Sequence, residues 1–406
     1  MLEGLITRCL AFLDITLDEL RDWFRKQRLP LQITILSVVG ILVAGITFES
    51  EIIDNIGRVR ALLWVSLHTE MIPISSMITE TVRPIADELT RRLDTEIEEG
   101  LKNDTVAAWP LAQAIVATSG PGFSRQRSAD VVNYIRKRAD ALRCACWSEF
   151  DRPPDPVMPV ASGYILWAYA TMRVRPTDAE IEYVLRTQRP DGAWPIFDLT
   201  GDANVSSTWS TVIMMVGLHA VVERDLVDAV RKAAIIARLQ RARTWLLSIK
   251  GSQHLWTYHP SIPQSKTSEA LSAMAIFALI RTNVAPITSH DDLVRAREWL
   301  ERTSIAPISL NEVESNLIDI KGSKGELLFN DHFQQVPVPW TIAACSSLYS
   351  KVSLVERAKI LRFLESQLSP EELRDAVTID PLWWRAELLV ALNYVLAKAG
   401  PNPVGT

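Results

Sequence analysis

Cysteine is scarce in this chain of 406 residues: Cys9, Cys144, Cys146 and Cys345 are all there are. Four thiols make no disulfide framework here, and Cys144 and Cys146, spaced C-x-C without a nearby histidine, fit no common zinc pattern. They are expected as buried or half-buried free thiols, and neither a metal nor a cofactor is expected. A basic excess is missing as well; the net charge of −5 argues against nucleic acid as a partner. No stretch of any length alternates apolar and polar residues, which excludes a β-rich or Rossmann fold. The chain is nevertheless 48% hydrophobic and 22% charged, the balance of a folded protein. Its length exceeds one ordinary core unless the fold is a barrel or toroid.

One long uncharged run is present. Leu29–Phe48 reads LPLQITILSVVGILVAGITF, about 20 residues at about 1.5 Å each, enough for a hydrocarbon core of about 30 Å. Arg21, Arg25, Lys26 and Arg28 precede it and Glu49, Glu51 and Asp54 follow, so the positive-inside rule puts the N-terminus in the cytoplasm. The run starts too late for a secretory signal and lacks a small-residue cleavage site. The expected order is an amphipathic helix lying on membrane lipid over 1–28, a single transmembrane helix over 29–48, a helical linker over 49–82 and an all-α domain over 83–406. Ala61–Ile78 is moderately apolar but holds His68 and Glu70, so the side on which the large domain lies stays open.

Tryptophan is plentiful, with 13 residues against 7 Tyr and 10 Phe. Many fall in six strongly apolar helical segments beginning near Thr105, Pro159, Ser206, Thr267, Pro339 and Leu382. Each is apolar nearly all round and is expected to be buried on most sides. Charged amphipathic helices alternate with them: Ile85–Leu101, Ser128–Leu142, Asp178–Gln188, Val230–Ile249, Asp291–Thr303 and Leu354–Leu368. Six buried helices alternating with six amphipathic ones predict inner and outer rings, an (α/α)6 barrel or toroid.

The outer helices share a signature. Arg241–Lys250 (RARTWLLSIK) and Arg295–Ser304 (RAREWLERTS) superpose as Arg-Ala-Arg-x-Trp-Leu, and Tyr183–Gln188 and Phe363–Leu368 match the second half. After Gln188 come Asp191, Gly192, Ala193 and Trp194. A Gln able to bond the exposed end of the next helix, with a Trp stacked across a helix end, would tie adjacent hairpins together. YVLRTQRPDGAW resembles the QW repeat of squalene–hopene and oxidosqualene cyclases; in the other copies Lys250 and Ser304 stand where that family has Gln. The resemblance covers roughly Arg83 to the C-terminus as architecture, with one clean motif. It implies the α/α toroid of terpenoid cyclases and protein prenyltransferase β-subunits.

Class II terpenoid cyclases carry Asp-x-Asp-Asp-Thr on the rim, whose middle acid protonates the substrate. This chain has Asp202, Ala203, Asn204, Val205 and Ser206 there, so an amide stands in the proton donor's place and the usual chemistry is not expected. Asp202 is read either as a surviving acid or, with Asn204 or Ser206, as a helix cap. Cys345, His332 and Asp331 have the right types for a prenyltransferase-like zinc site but no matching spacing, and the Cys and Cys-His set of lanthionine cyclases is missing. Carboxylates in an (α/α)6 barrel also resemble those of glycoside hydrolases and polysaccharide lyases, with Asp331 or Asp380 acting beside Glu269.

What remains is an aromatic, acid-bearing rim. Its expected ligand contacts are Trp109, Trp209, Trp256 and Trp340, with Trp383, His259, Glu269 and His332; Asp104 and Glu387 are further acids. Aromatic walls with a few acids suit an isoprenoid or another apolar ligand, a cation or sugar rings. Three readings stand: a membrane-associated binder of an apolar small molecule, an inert membrane-tethered scaffold for a protein partner, and a carbohydrate-active enzyme.

Overall fold

The computed structural model describes residues 74–118, 125–151, 156–199, 204–249, 255–263, 265–282, 290–303, 310, 312–321, 325–352, 354–368, 373 and 382–398. Leu29–Phe48, Cys9, Asp202 and Asp380 lie outside them. Among the described residues no helix is long and apolar enough to cross a membrane. The chain divides into two compact units, one of Ser75–Val352 with Arg362–Thr406, the other of Met1–Ile74 with Ser353–Leu361.

Among the described residues there are twelve α-helices. The odd-numbered ones are α1 (Ile74–Asn103), α3 (Arg125–Ala141), α5 (Asp178–Arg186), α7 (Ala229–Ser248), α9 (His290–Arg302) and α11 (Leu354–Gln367). The even-numbered ones are α2 (Ala108–Thr118), α4 (Pro159–Met172), α6 (Thr208–Glu223), α8 (Glu269–Arg281), α10 (Pro337–Leu348) and α12 (Leu382–Lys398). Within the larger unit each even helix packs on the next, and α12 packs back on α2, closing a ring of six. This is an α/α toroid. The sequence explains the division: α2 and α10 carry no charged residue, and every residue of α10 is buried. Such helices satisfy their backbones internally and offer apolar surface in all directions. At the α4–α6 contact the backbones meet directly, since a Cβ on Gly217 would lie 2.1 Å from the Gly163 carbonyl oxygen.

The connections repeat one device. Two-residue antiparallel ladders, β1 (Trp194–Pro195) with β2 (Ser206–Ser207) and β3 (Trp256–Thr257) with β4 (Thr267–Ser268), pair Trp194 with Ser207 and Trp256 with Ser268. Trp194 Nε1 donates to the Val184 carbonyl at 2.7 Å, and Trp256 Nε1 to that of Leu246 at 2.9 Å. Their backbone N–H groups donate to Thr211 Oγ1 and Ser272 Oγ on the following inner helices. Trp147 makes a third copy, its indole donating to the Ile135 carbonyl at 3.0 Å. All three indoles are buried and donate to carbonyls of the preceding outer helix; those of Val184 and Leu246 belong to its last turn, where carbonyls lack helical partners, whereas Ile135 lies further inside its helix.

Four expectations need correction. Gln188 grips the flank of α7 and its own turn, donating to the Arg238 and Gly192 carbonyls at 2.9 and 2.8 Å and accepting from Arg241, so it does not cap a helix end. The cap of α6 is Ser207, whose hydroxyl accepts from the Ser210 N–H; neither Asn204 nor Ser206 fills that role, because α6 begins only at Thr208. Cys144 and Cys146 are joined in a disulfide, their Cα atoms 5.2 Å apart in the turn after α3, within normal bridging distance. Cys345 is a buried free thiol, as expected. Finally, an antiparallel hairpin of β5 (Glu314–Lys321) and β6 (Leu327–Gln335) precedes α10. ESNLIDIK does alternate, exposed Leu317 breaking the apolar face and hiding the period.

Candidate functional site

Glu387 sits in the second turn of α12, inside the ring, and is 5% exposed. Gln113 of α2 and Gln335, the last residue of β6, donate their side-chain N–H groups to Glu387 Oε1 at 3.4 and 3.2 Å. The Tyr164 hydroxyl of α4 donates to the same oxygen at 3.4 Å. Arg385, two residues earlier, is committed to Glu96 and does not neutralise the carboxylate. Burial therefore dominates and pushes the Glu387 pKa up to about 8, against the opposing pull of Gln335, Trp340 and Tyr164. At neutral pH the group is chiefly a carboxylic acid. Burial, then the Glu387 charge, holds the Tyr164 phenol well above the ordinary tyrosine range.

The network is incomplete. Glu387 Oε2, Gln113 Oε1 and the indole nitrogens of Trp209 and Trp340 are buried without a hydrogen-bond partner. The Trp340 indole leans on Glu387 and the Trp209 indole on Tyr164, without completing bonds. Other buried side chains carry such atoms too, the Trp299 and Trp384 indoles among them; these four differ in surrounding one buried acid and the tyrosine bonded to it.

An aromatic wall adjoins the cluster. Trp109 lies 6.2 Å from Tyr164 and meets Trp209 edge-on at 6.4 Å. Trp209 packs on Phe333 at 5.8 Å, and Phe333 stacks on Tyr258 at 4.4 Å. The hairpin thus delivers two residues here, Phe333 to the wall and Gln335 to the acid.

The other expected contacts are placed as follows. His259 is fully buried beside Tyr258, with Nδ1 3.1 Å from the Ser206 carbonyl oxygen. Trp256 is committed to α7 as described. Trp383 is half-buried at the start of α12. Glu269 is exposed at the start of α8, where the Glu314 carboxylate caps the helix by accepting from the Glu269 N–H; burial, then Glu314 and Glu312, raise the Glu269 pKa. His332 is exposed on β6 and bonded to Ser315; Asp331 is its neighbour, paired across the ladder with Ile318. Among the described residues no group of three potential ligands could hold a metal.

At the rim, Arg189, Asp191, Asn204, Ser206 and Trp245 line a pocket of about 500 Å³. Its polar groups are already engaged: Ser206 Oγ donates to Asp191 at 2.6 Å, and Arg189 Nη1 to Asn204 Oδ1 at 3.0 Å. Glu387 is among the acids expected at the rim; Gln113, Tyr164, Phe333 and Gln335 are not among the expected contacts. A usable signal was a lone polar residue inside an otherwise apolar run, Gln113 in LAQAIVA and Glu387 in AELLVAL.

No family model matches the chain, and no curated protein does. Among solved structures, a family 76 glycoside hydrolase from a bovine Bacteroides thetaiotaomicron strain is 14% identical, covering 72% of this chain and 69% of its own, at a TM-score of 0.45. An inactive α-1,6-mannanase variant of Salegentibacter sp. HEL1_6, with α-1,6-mannotriose, is 11% identical, covering 78% and 98%, at 0.47. A type II terpene cyclase variant from Scytonema, with geranylgeranyl dihydroxybenzoate, is 12% identical, covering 78% and 99%, at 0.43. Likenesses this distant bear on neither substrate nor mechanism. The closed ring itself defines the class, an α/α toroid.

Proposed function

We propose that the toroid binds an apolar small molecule against the wall of Trp109, Trp209, Tyr258 and Phe333, with its one polar end at Glu387. The observation that carries this reading is the set of four buried, unpartnered polar atoms beside an aromatic wall. Left unpaired, each costs about 1–3 kcal/mol, a cost that a ligand's polar end would offset. The uncharged Leu29–Phe48 run supports a membrane anchor in this reading, since apolar ligands partition into lipid. Cyclase chemistry is not part of it: an acid with a pKa near 8 is far too weak to protonate an alkene.

The test is extraction and mass spectrometry of small molecules retained by the purified full-length chain. One apolar species in near-stoichiometric amount is expected, and its loss in Trp209→Ala. A chain that retains nothing, and whose melting no apolar compound raises, would overturn the reading. A second reading, an interaction scaffold, has its own observation: Val313, Leu317 and Leu327 are exposed on and beside the hairpin by 48%, 65% and 54%. The carbohydrate-active reading needs a second carboxylate beside Glu387, and among the described residues the cluster holds one.

A further inference from the structure

Resting on that reading, we infer that the polar end of the ligand is an uncharged oxygen acceptor, a carbonyl, received by the indole N–H groups of Trp209 and Trp340 and by the Glu387 carboxyl. The balance of donors and acceptors around Glu387 decides this. Glu387 Oε1 already receives N–H donors from Gln113 and Gln335 and the Tyr164 O–H, so a proton on this carboxyl belongs on Oε2, which has no partner. Burial keeps that proton in place at neutral pH. Three donors are then unpaired, Oε2–H and two indole N–H groups, against one acceptor, Gln113 Oε1.

A carbonyl oxygen has two lone pairs and brings no donor of its own, so it complements this set. An ammonium group brings only donors, and is accepted only if Glu387 first gives up its proton. A carboxylate would accept, but the nearby cation of α12, Arg385, is already held by Glu96, so its charge would enter unbalanced. The flanking inner helices bear this out: α2 has no ionisable side chain, and α10 has only Cys345, a thiol that burial keeps neutral. The single titratable group bonded to Glu387 is Tyr164, itself held neutral. Deprotonation of Glu387 turns the third donor into a negative oxygen that repels a carbonyl, so binding of such a ligand weakens as pH rises through the Glu387 pKa.

The experiment compares three probes of one shape on the full-length protein: methyl naphthyl ketone, isopropenylnaphthalene and naphthylethylamine, titrated by calorimetry at about pH 6 and about pH 9.5. At the lower pH the ketone should bind about tenfold more tightly than the hydrocarbon, the worth of one good hydrogen bond. That advantage should vanish at the higher pH. Glu387→Gln, which keeps an N–H donor at every pH, should retain the ketone preference without its pH dependence. Trp340→Phe should weaken the ketone severalfold more than the hydrocarbon. Equal binding of ketone and hydrocarbon at low pH, tighter binding of the amine, or a pH dependence that survives Glu387→Gln would each overturn the inference while leaving the apolar site standing. Binding of no probe at either pH would overturn the site itself, and the inference with it.

Discussion

Replacing Glu387 by Gln removes one ionisation from the centre of the ring while keeping the side chain's length and an oxygen to accept from Gln113, Tyr164 and Gln335. Its effect on stability is set by proton linkage. The carboxyl rises from 4.5 to about 8 on folding, so between those values the folded chain holds a proton that the unfolded chain has released. Stability from this group is complete below 4.5 and is lost as pH climbs, at roughly 1.4 kcal/mol per pH unit, until the folded carboxyl also ionises near 8. The whole window amounts to something on the order of 5 kcal/mol. Glutamine does not titrate, so the variant should match the wild type near about pH 5 and exceed it increasingly toward about pH 8, by about 4 kcal/mol. Tyr164 adds nothing here, because its phenol titrates well above the window. Urea midpoints measured across that range, with unchanged denaturant slopes, read the difference directly. A stability gap between variant and wild type that is the same at both ends would refute the claim that Glu387 is buried as a neutral acid.

Trp194→Ala and Trp256→Ala should each cost about 3–5 kcal/mol, because both indoles fill buried sites and satisfy a helix carbonyl; equal losses in thermal melts would support the repeated device. Gly217→Ala should lower the melting temperature sharply, its new methyl group meeting the Gly163 carbonyl, whereas Gly325→Ala meets no neighbouring atom and is strained only through its φ of 81°. Ser207→Ala should cost about 0.5–2 kcal/mol through loss of the α6 cap, and Asn204→Ala should leave that cap intact, which paired chemical denaturation would check. The full-length chain should fractionate with membranes and a chain lacking Met1–Glu49 should not, a prediction from the Leu29–Phe48 run that detergent extraction and ultracentrifugation would decide.

How much was readable in advance follows from the range over which each feature is encoded. The helices and their sorting into two rings are local: a segment such as PVASGYILWAYATM is apolar all round, and no arrangement but burial suits it. The motif of Gln188, Gly192 and Trp194 was legible because it lies within seven residues, but the grip of Gln188 on Arg238 and Arg241, 50 and 53 residues further on, was not. The hairpin was not, since β5 exposes Leu317 and buries Ile318 and Ile320, and only its place beside the ring decides which face is covered. Nor was the disulfide, which depends on how the turn after α3 directs Cys144 and Cys146. The candidate site was the least legible part. Gln113, Tyr164, Gln335 and Glu387 are separated by up to 274 residues along the chain and meet because α12 packs against α2. The sequence alone determines which faces must leave water, since that property belongs to each helix; which polar groups share one buried space, and so which acid stays protonated, arises only when the ring closes.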